Sequence, residues 1–288
     1  MATYYVSATT GNDSNNGTSA ATAKATVGAG ENLATSAGDI VYIAPGTYRE
    51  TIVHGYSGTS GDRIYFIGDP DCTHFSGVTP GVVRITRAAA VTEFADSSSG
   101  GIVIKTNGKD YITWKNVLVD GLGRDDSTSA NTTPTNYGFY ANSEADYFEC
   151  INCSVQQVYY GYYRVRRMVG CTSMACYAHI MYGGNDGVDK HIAVGGYQGY
   201  QSVDLVTNSI CIGMGQNSFY FGERYVNSMW IGATNGCWSY TGDNLENNIG
   251  IGNRTSFASY NDSGTPRMTG SYICSSAYIS QNAYTHGI

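Results

Sequence analysis

From about Asp110 onward the chain repeats a short strand pattern: YITWKNVLVDG, YFECINCSVQQ, MVGCTSMACYAH, DKHIAVGGY, LVTNSICIGMG, VNSMWIGATNG, LENNIGIGN and GSYICSSAYIS. Anchored at the residue before each central strand, the units fall at Asn116, Asn152, Thr172, Lys190, Asn208, Ser228, Asn248 and Tyr272. After Asn152 the steps are 20, 18, 18, 20, 20 and 24 residues. That period decides the fold class. It is too short for propeller blades or helical-hairpin repeats, and the leucine pattern of leucine-rich repeats is absent. What remains is an all-β chain wound as a single-stranded parallel β-solenoid, with coils of about 18–24 residues. Each coil contributes two or three short strands that stack on the next coil ~4.8 Å away, so about a dozen coils make a rod roughly 55–60 Å long. The first gap, 36 residues, holds either two short coils or one coil with the GRDDSTSANTTPTN loop inserted.

The stretch GDIVYIAPGTYRE, Gly38 to Glu50, shows the same grammar upstream. Ile40 to Ala44 reads as a short strand apolar on both sides. Pro45-Gly46 stops it, because proline cannot donate to a ladder and glycine takes positive φ. Thr47-Tyr48 resumes an extended pattern. A strand, a corner and a second strand within thirteen residues suit a solenoid. The expected organisation is a short N-terminal cap over residues 1–37, with a helical turn at ENLATSA, and a β-helix over residues 38–288. A cap is required because an end coil exposes an apolar bore and unpaired strand edges.

Composition narrows the partners. Charged residues make up 14% of the chain, against a typical ~25%, and 37 glycines and 25 tyrosines supply much of the rest. The net charge of −7 argues against a nucleic-acid binder, which needs a basic face. No apolar run approaches the ~20 residues of a membrane span. The N-terminus lacks the basic and apolar regions of a Sec-type signal, so the protein is expected to be kept in a cytoplasm or to leave it by another route. The eight cysteines, Cys72, Cys150, Cys153, Cys171, Cys176, Cys211, Cys237 and Cys274, do not form a matched zinc set. They are expected to be reduced, buried thiols, with Cys153, Cys211 and Cys274 at one place in their coils. No metal or cofactor is expected.

The opening YYVSATTGNDSNNGTSAATA…SAGDIVYIAPGTYRE resembles that of right-handed parallel β-helix proteins of the pectin-lyase-like superfamily. Gly11-Asn12-Asp13, Gly17-Thr18, Gly38-Asp39 and Pro45-Gly46-Thr47-Tyr48 carry the likeness. The chain departs from the family between them, where ATAKATVGAGENLATSA replaces a Pro-aromatic-x-Thr-Ile segment, so a shortened cap is expected. The motif covers about 50 residues, and the coil pattern extends the likeness. The resemblance implies a right-handed β-helix and two kinds of function, polysaccharide lyases and hydrolases on one side and bacteriophage tailspike and other virion proteins on the other. Fold alone does not choose between them.

An enzyme needs an acid/base set in a groove. Hydrolysis uses two carboxylates, and lyase chemistry a base with a cation that holds the uronate. The family's NTD…DD…GHG…RIK series is not intact here, although Asp125 and Asp126 supply a DD. The remaining candidates are the GGNDGVDKHIAV run, with Asp186, Asp189, Lys190 and His191, and the isolated Asp120 and Glu149. The GGNDGVDKHIAV run has an alternative reading as a polar turn between coils. Tyr159, Tyr160, Tyr162, Tyr163, Arg164 and Arg166 form the candidate binding strip, with Arg164 and Arg166 expected on one face of a strand. The preferred expectation is a virion structural protein, a head decoration (cement) protein or a tail or fibre component, located in the virion and assembled in the host cytoplasm. Its partners would be other virion proteins and two further copies in a homotrimer, with surface polysaccharide as a further ligand. The alternative is a tailspike-like depolymerase.

Overall fold

A computed structural model describes residues 1–86, 101–121, 137–142, 147–183, 186–220, 223–239, 244–253, 255–259, 267–269 and 272–275. Every strand pairing in it is parallel, and the described strands form two sheets of 11 and 16 strands. The 11-stranded sheet, from Thr3–Val6 and Ile40–Ile43 to Arg267–Thr269, makes the first face of a triangular β-helix. The larger sheet folds into the second and third faces. Three long strands, Thr172–Met181, Ile192–Gln201 and Ile210–Tyr220, run through both.

The expected period is realised in the first-face register. Glu149 pairs with Arg167, Met168 with Val188, Val188 with Val206 and Leu205 with Arg224. Thr113 pairs directly with Glu149, so the 36-residue gap is one coil with an insertion.

Corners follow from backbone angles. The first corner repeats a left-handed residue at Asn116 (φ 56), Asn152 (φ 51), Gly170 (φ 63), Lys190 (φ 55), Asn208 (φ 51), Asn227 (φ 50) and Asn247 (φ 53). Asparagine tolerates this region because its short amide bonds locally. Asn208 Nδ2 donates to Asp189 Oδ1 at 2.7 Å, one coil back. The expected anchors at Thr172, Ser228 and Asn248 lie one or two residues past the turning residue. Gln157, Ala175, Gly195, Gly213 and Gly232 make a second left-handed ladder, between the second and third faces.

The bore is filled by inward columns. The first face contributes Val41, Phe66, Trp114, Cys150, Met168, Val188, Val206, Tyr225 and Leu245, one rung after another. The third contributes Ile104, Phe139, Tyr162, Ile180, Tyr200 and Phe219. Rings stack along the axis, with Phe139 on Tyr162 at 5.4 Å and Tyr200 on Phe219 at 5.0 Å. The seven cysteines whose side chains are described are thiols, six of them buried, with no disulfide among them. They do not share one column as expected. Cys153 follows the first corner, Cys211 points inward from the second face, and the backbone of Cys274 pairs with outward-facing Ile251.

The outer positions of the second face are aliphatic over several coils. Ile192, Ile210, Met229 and Ile249 form one column, and Met174, Val194, Ile212, Ile231 and Ile251 the other.

At the N-terminal end, Thr3–Val6 is itself the first strand of the first face, paired with Ile40–Ile43. The helix runs Val27–Glu31, earlier than the expected ENLATSA turn. Its start is fixed by the Thr26 hydroxyl, which accepts from Ala29 N, and by the Glu50 carboxylate, which accepts from Val27 N at 2.7 Å and Gly28 N at 2.8 Å. The Glu that ends PGTYRE therefore caps the helix covering the bore. Ile40–Ile43 is buried on its inner side only, and outward Tyr42 stacks on His74 at 3.7 Å.

Candidate functional site

The densest outward chemistry lies on the first face. Stacking brings Thr113, Glu149 and Arg167 into one outer column, from three different coils. Arg63, on the segment leading into Ile64–Gly68, reaches across them. Its Nε donates to Thr113 Oγ1 at 2.6 Å and its Nη2 to the carbonyl oxygens of Ile112 (2.9 Å) and Tyr147. Thr113 Oγ1 donates to Glu149 Oε2 at 3.0 Å, and Arg167 Nη1 donates to Glu149 Oε1 at 2.5 Å. Glu149 is thus held between two guanidiniums. Arg63 Nε lies 3.7 Å from its carboxylate, and the Arg167 side chain is 47% exposed. Burial pulls the Arg63 guanidinium below its ordinary value, and Glu149 opposes the shift.

Aromatic rings edge this cluster. Tyr111 and Tyr147 stack at 4.5 Å, and the Arg166 guanidinium lies 4.0 Å over the Tyr147 ring. Arg166 Nε donates to Asp186 Oδ2 at 2.6 Å, which raises the guanidinium's affinity for its proton. Beside them Lys115 Nζ lies 4.9 Å over the Tyr65 ring. Further along, Asp189 accepts from Thr207 Oγ1 at 2.8 Å and from Asn208 Nδ2. Burial works against its charge, but those hydrogen bonds and Lys190 outweigh it, leaving the carboxyl below its usual range.

The residues singled out from the sequence separate accordingly. Asp186, Asp189, Glu149 and Arg166 come together on the first face. Lys190 occupies the first corner. His191 does not join them, because the chain turns at Lys190 and carries the imidazole into the bore, fully buried. There its Nδ1 bonds Tyr200 Oη at 2.9 Å and its Nε2 lies 3.2 Å from Ser173 Oγ. His179 Nδ1 meets the same hydroxyl at 2.6 Å and its Nε2 meets Gly195 O at 2.6 Å. Burial pulls His191 down to about 3 and His179 to about 4, so both are neutral structural groups. Tyr162 is also in the bore, its hydroxyl donating to Cys153 O at 2.8 Å. Neither His191 nor Tyr162 can touch a glycan. Asp120 lies on the second face, 3.6 Å from Arg84 and accepting from Gln156 at 3.0 Å. Asp125 and Asp126 lie outside the described residues.

Tyr159, Tyr160 and Tyr163 are outward on the third face, within stacked ladders. Tyr159 lies on Tyr177 at 4.3 Å and Tyr177 on Tyr197 at 4.9 Å, while Tyr137–Tyr160 and Tyr140–Tyr163 are 5.1 and 5.2 Å apart. Rings stacked along the axis present edges and hydroxyls outward. Arg164 and Arg166 do not share a strand. Arg164 (φ 55) turns the corner after Tyr160–Tyr163, donating to Asn142 O at 2.8 Å, and Arg166 precedes the strand Arg167–Val169. Sequence reasoning missed Arg63, Thr113 and Arg167 as partners of Glu149. Thr113 and Arg167 share a column with Glu149, a signal readable only once the register is known, and Arg63 reaches them from outside it.

Among the described residues no group of three or more His, Cys, Asp and Glu side chains is placed to hold a metal ion. No helix there is long and apolar enough to cross a membrane.

Parallel faces, left-handed corners and a filled bore define a right-handed parallel β-helix. No family model matches the chain, and no curated protein matches it in sequence. Solved structures are similar in fold. Pectate lyase Pel9A superposes with a TM-score of 0.59 at 15% identity, over 99% of this chain and 78% of that one. A rhamnogalacturonan lyase does so with a TM-score of 0.53 at 14% identity, over 96% and 88%. A lacto-N-biosidase from Eubacterium ramulus gives a TM-score of 0.50 at 12% identity. This chain is covered over 95% but spans only 56% of that enzyme's length.

Proposed function

We propose that this chain binds an acidic polysaccharide along its first face and acts on it as a lyase or hydrolase. The observation that carries the reading is a face on which cations outnumber the carboxylates Glu149, Asp186 and Asp189, on an otherwise acidic chain. Arg63, Lys115, Arg166 and Arg167 stand beside Tyr65, Tyr111 and Tyr147, while the whole protein carries −7. Guanidiniums pair with carboxylates in a planar, two-pronged geometry, and sugar rings pack on aromatic surfaces. Arg63 and Glu149 act as the positioning pair, since most of their bonds are internal. Arg167, half-exposed beyond its bond to Glu149, and Lys115 present charge outward, while Arg166 is held by Asp186. A cation on a uronate carboxylate stabilises the charge that develops there when the neighbouring C–H is deprotonated, the step a lyase must accelerate. Pectate lyase and rhamnogalacturonan lyase, both similar in fold, lend this reading support.

The test is affinity electrophoresis and calorimetry with polygalacturonate, alginate and neutral dextran, alongside assays for unsaturated uronate ends and for new reducing ends. Retention by a polyuronate but not by dextran is expected. Arg167→Ala should weaken it roughly tenfold, about 1.4 kcal/mol. No retention at low salt, or equal retention by dextran, refutes the reading.

A second reading, a virion structural protein working by protein contacts, is favoured by one observation. The outer second face exposes aliphatic side chains, which suits a surface covered by protein.

A further inference from the structure

The stretches VYYGYY, ACYAH and GGYQG place Tyr159, Tyr177 and Tyr197 at steps of 18 and 20 residues, the coil period. The register therefore sets each ring on the next, since Tyr160 pairs with Ala178 and Ala178 with Gln198. The three rings are half-buried and nearly parallel, at 4.3 Å and 11° for Tyr159 on Tyr177 and 4.9 Å and 16° for Tyr177 on Tyr197. Tyr160 meets Tyr159 edge-on at 4.5 Å, and Tyr137 lies on Tyr160 at 5.1 Å, so these phenols form one connected array across coils. The bore stacks phenylalanine with tyrosine, as in Phe139 on Tyr162 and Tyr200 on Phe219, whereas the outer array is phenol throughout. Phenols are readily oxidised by loss of one electron and one proton. A cation over the ring opposes that loss. The stacked pair on the first face, Tyr111 and Tyr147, has Arg166 4.0 Å over Tyr147 and Arg63 5.8 Å over Tyr111. Arg164 lies 5.2 Å over Tyr163. Among the described residues no such contact reaches Tyr159, Tyr177 or Tyr197.

We propose that Tyr159 and Tyr177 form an oxidative cross-linking site, at which a one-electron oxidant joins the two rings as dityrosine and staples neighbouring coils. The co-reactant is a one-electron oxidant, such as the oxidised haem of a peroxidase or a ruthenium(III) complex. Two oxidation events each remove one electron and one hydroxyl proton, leaving a phenoxyl radical on each ring. A C–C bond then forms between ring carbons ortho to the oxygens. The hydrogens on those carbons move to the oxygens and restore both phenols. In sum the chain loses two electrons and two protons and gains one bond. Rings held face to face on adjacent rungs meet as neighbours within one molecule, which favours coupling inside the chain over coupling between chains. The link closes a loop between residues 18 apart and so removes freedom from the unfolded chain. None of these rings lies on the first face, so the proposal is independent of the polysaccharide reading.

The test illuminates the full chain, in dilute solution, with tris(bipyridine)ruthenium(II) and persulfate, then separates the products by size under denaturing conditions. A species of one-chain mass, two hydrogens lighter than the parent and fluorescent as dityrosine, is expected. Trypsin cuts at Arg164, Arg166 and Arg167, between the two rings, so the linked peptides should map to Tyr159 and Tyr177. Tyr177→Phe keeps the ring and its stacking but removes the oxidisable hydroxyl, and should lower the total intramolecular dityrosine roughly threefold or more. Tyr159→Phe should do the same, which covers the case in which one variant folds poorly. Tyr56→Phe, at an exposed position outside the array, should leave the yield unchanged. The linked chain should melt about 5 °C higher than the unlinked one. A parent that forms no intramolecular dityrosine, a link that maps mainly to Tyr111 and Tyr147, full yield from both array variants, or an unshifted midpoint in the linked chain overturns the proposal.

Discussion

Three imidazoles sit fully buried and neutral, and together they make the protein acid-labile. Burial pulls His54 down to about 3, His179 to about 4 and His191 to about 3, from an ordinary 6.5. Trp114 Nε1 donates to His54 Nε2 at 3.0 Å, and His179 and His191 share the Ser173 hydroxyl. Depressed folded-state values mean that the unfolded chain binds more protons below pH 6.5. Stability therefore falls as the pH drops from 6.5 towards 4 or 3. At about pH 5 each imidazole contributes about 2 kcal/mol of lost stability, relative to neutral pH. His179 and His191 lie in adjacent coils, so the segment containing both loses about 4 kcal/mol when it unfolds as a unit. Around His54 the loss is smaller. Burial also raises the neighbouring Glu31 carboxyl, and a raised acid favours the folded state as the pH falls. Urea unfolding at about pH 7 and about pH 5, followed by tryptophan fluorescence, measures the difference. A His179→Gln/His191→Gln variant should show a much flatter profile. Equal urea midpoints at the two pH values in the parent would refute the assignment of these groups as buried and neutral.

Asn208→Ala should cost about 1–2 kcal/mol, because alanine is strained at φ 51 and the bond to Asp189 is lost. Asn208→Gly, which keeps the backbone at ease, should cost less, and thermal melting ranks the two. Thiol labelling of the native protein should find half-buried Cys72 fast among the described cysteines. Buried Cys150, at about 11, and Cys211, at about 12, should react only after denaturation, and fast native labelling of either contradicts the bore packing.

The solenoid was legible because its constraint is periodic. Turning residues such as Asn116, Asn152 and Asn208 are themselves the sequence signal, and the inward rungs between them must be apolar. Local windows failed wherever a corner intervened. GGNDGVDKHIAV reads as one polar turn, yet Asp189, Lys190 and His191 point to the face, the corner and the bore in three consecutive positions. In YYGYY, Tyr160 and Tyr163 are outward and Tyr162 inward, a spacing that strict alternation does not produce. Arg63 and Glu149 meet across coils lengthened by insertions, where no spacing rule links them.

The bore also takes up most of the constraint that folding places on the chain. Register and stability are set by the inward columns and corners, which leaves outer positions unconstrained by folding beyond strand propensity. Three such faces on one rod would be expected to share a bland polar composition. They do not. The first gathers arginines and tyrosines around Glu149, the second is aliphatic from Ile192 to Ile251, and the third stacks tyrosines such as Tyr159, Tyr177 and Tyr197. The tyrosine ladders have a structural account, since each stacked pair adds about 0.5–1.5 kcal/mol beyond area burial. The first face has one too, since Glu149 lies between Arg63 and Arg167 and Asp186 meets Arg166. The second face does not, because aliphatic side chains such as Met174 and Ile251 are left in water there with no intramolecular gain to offset the exposure.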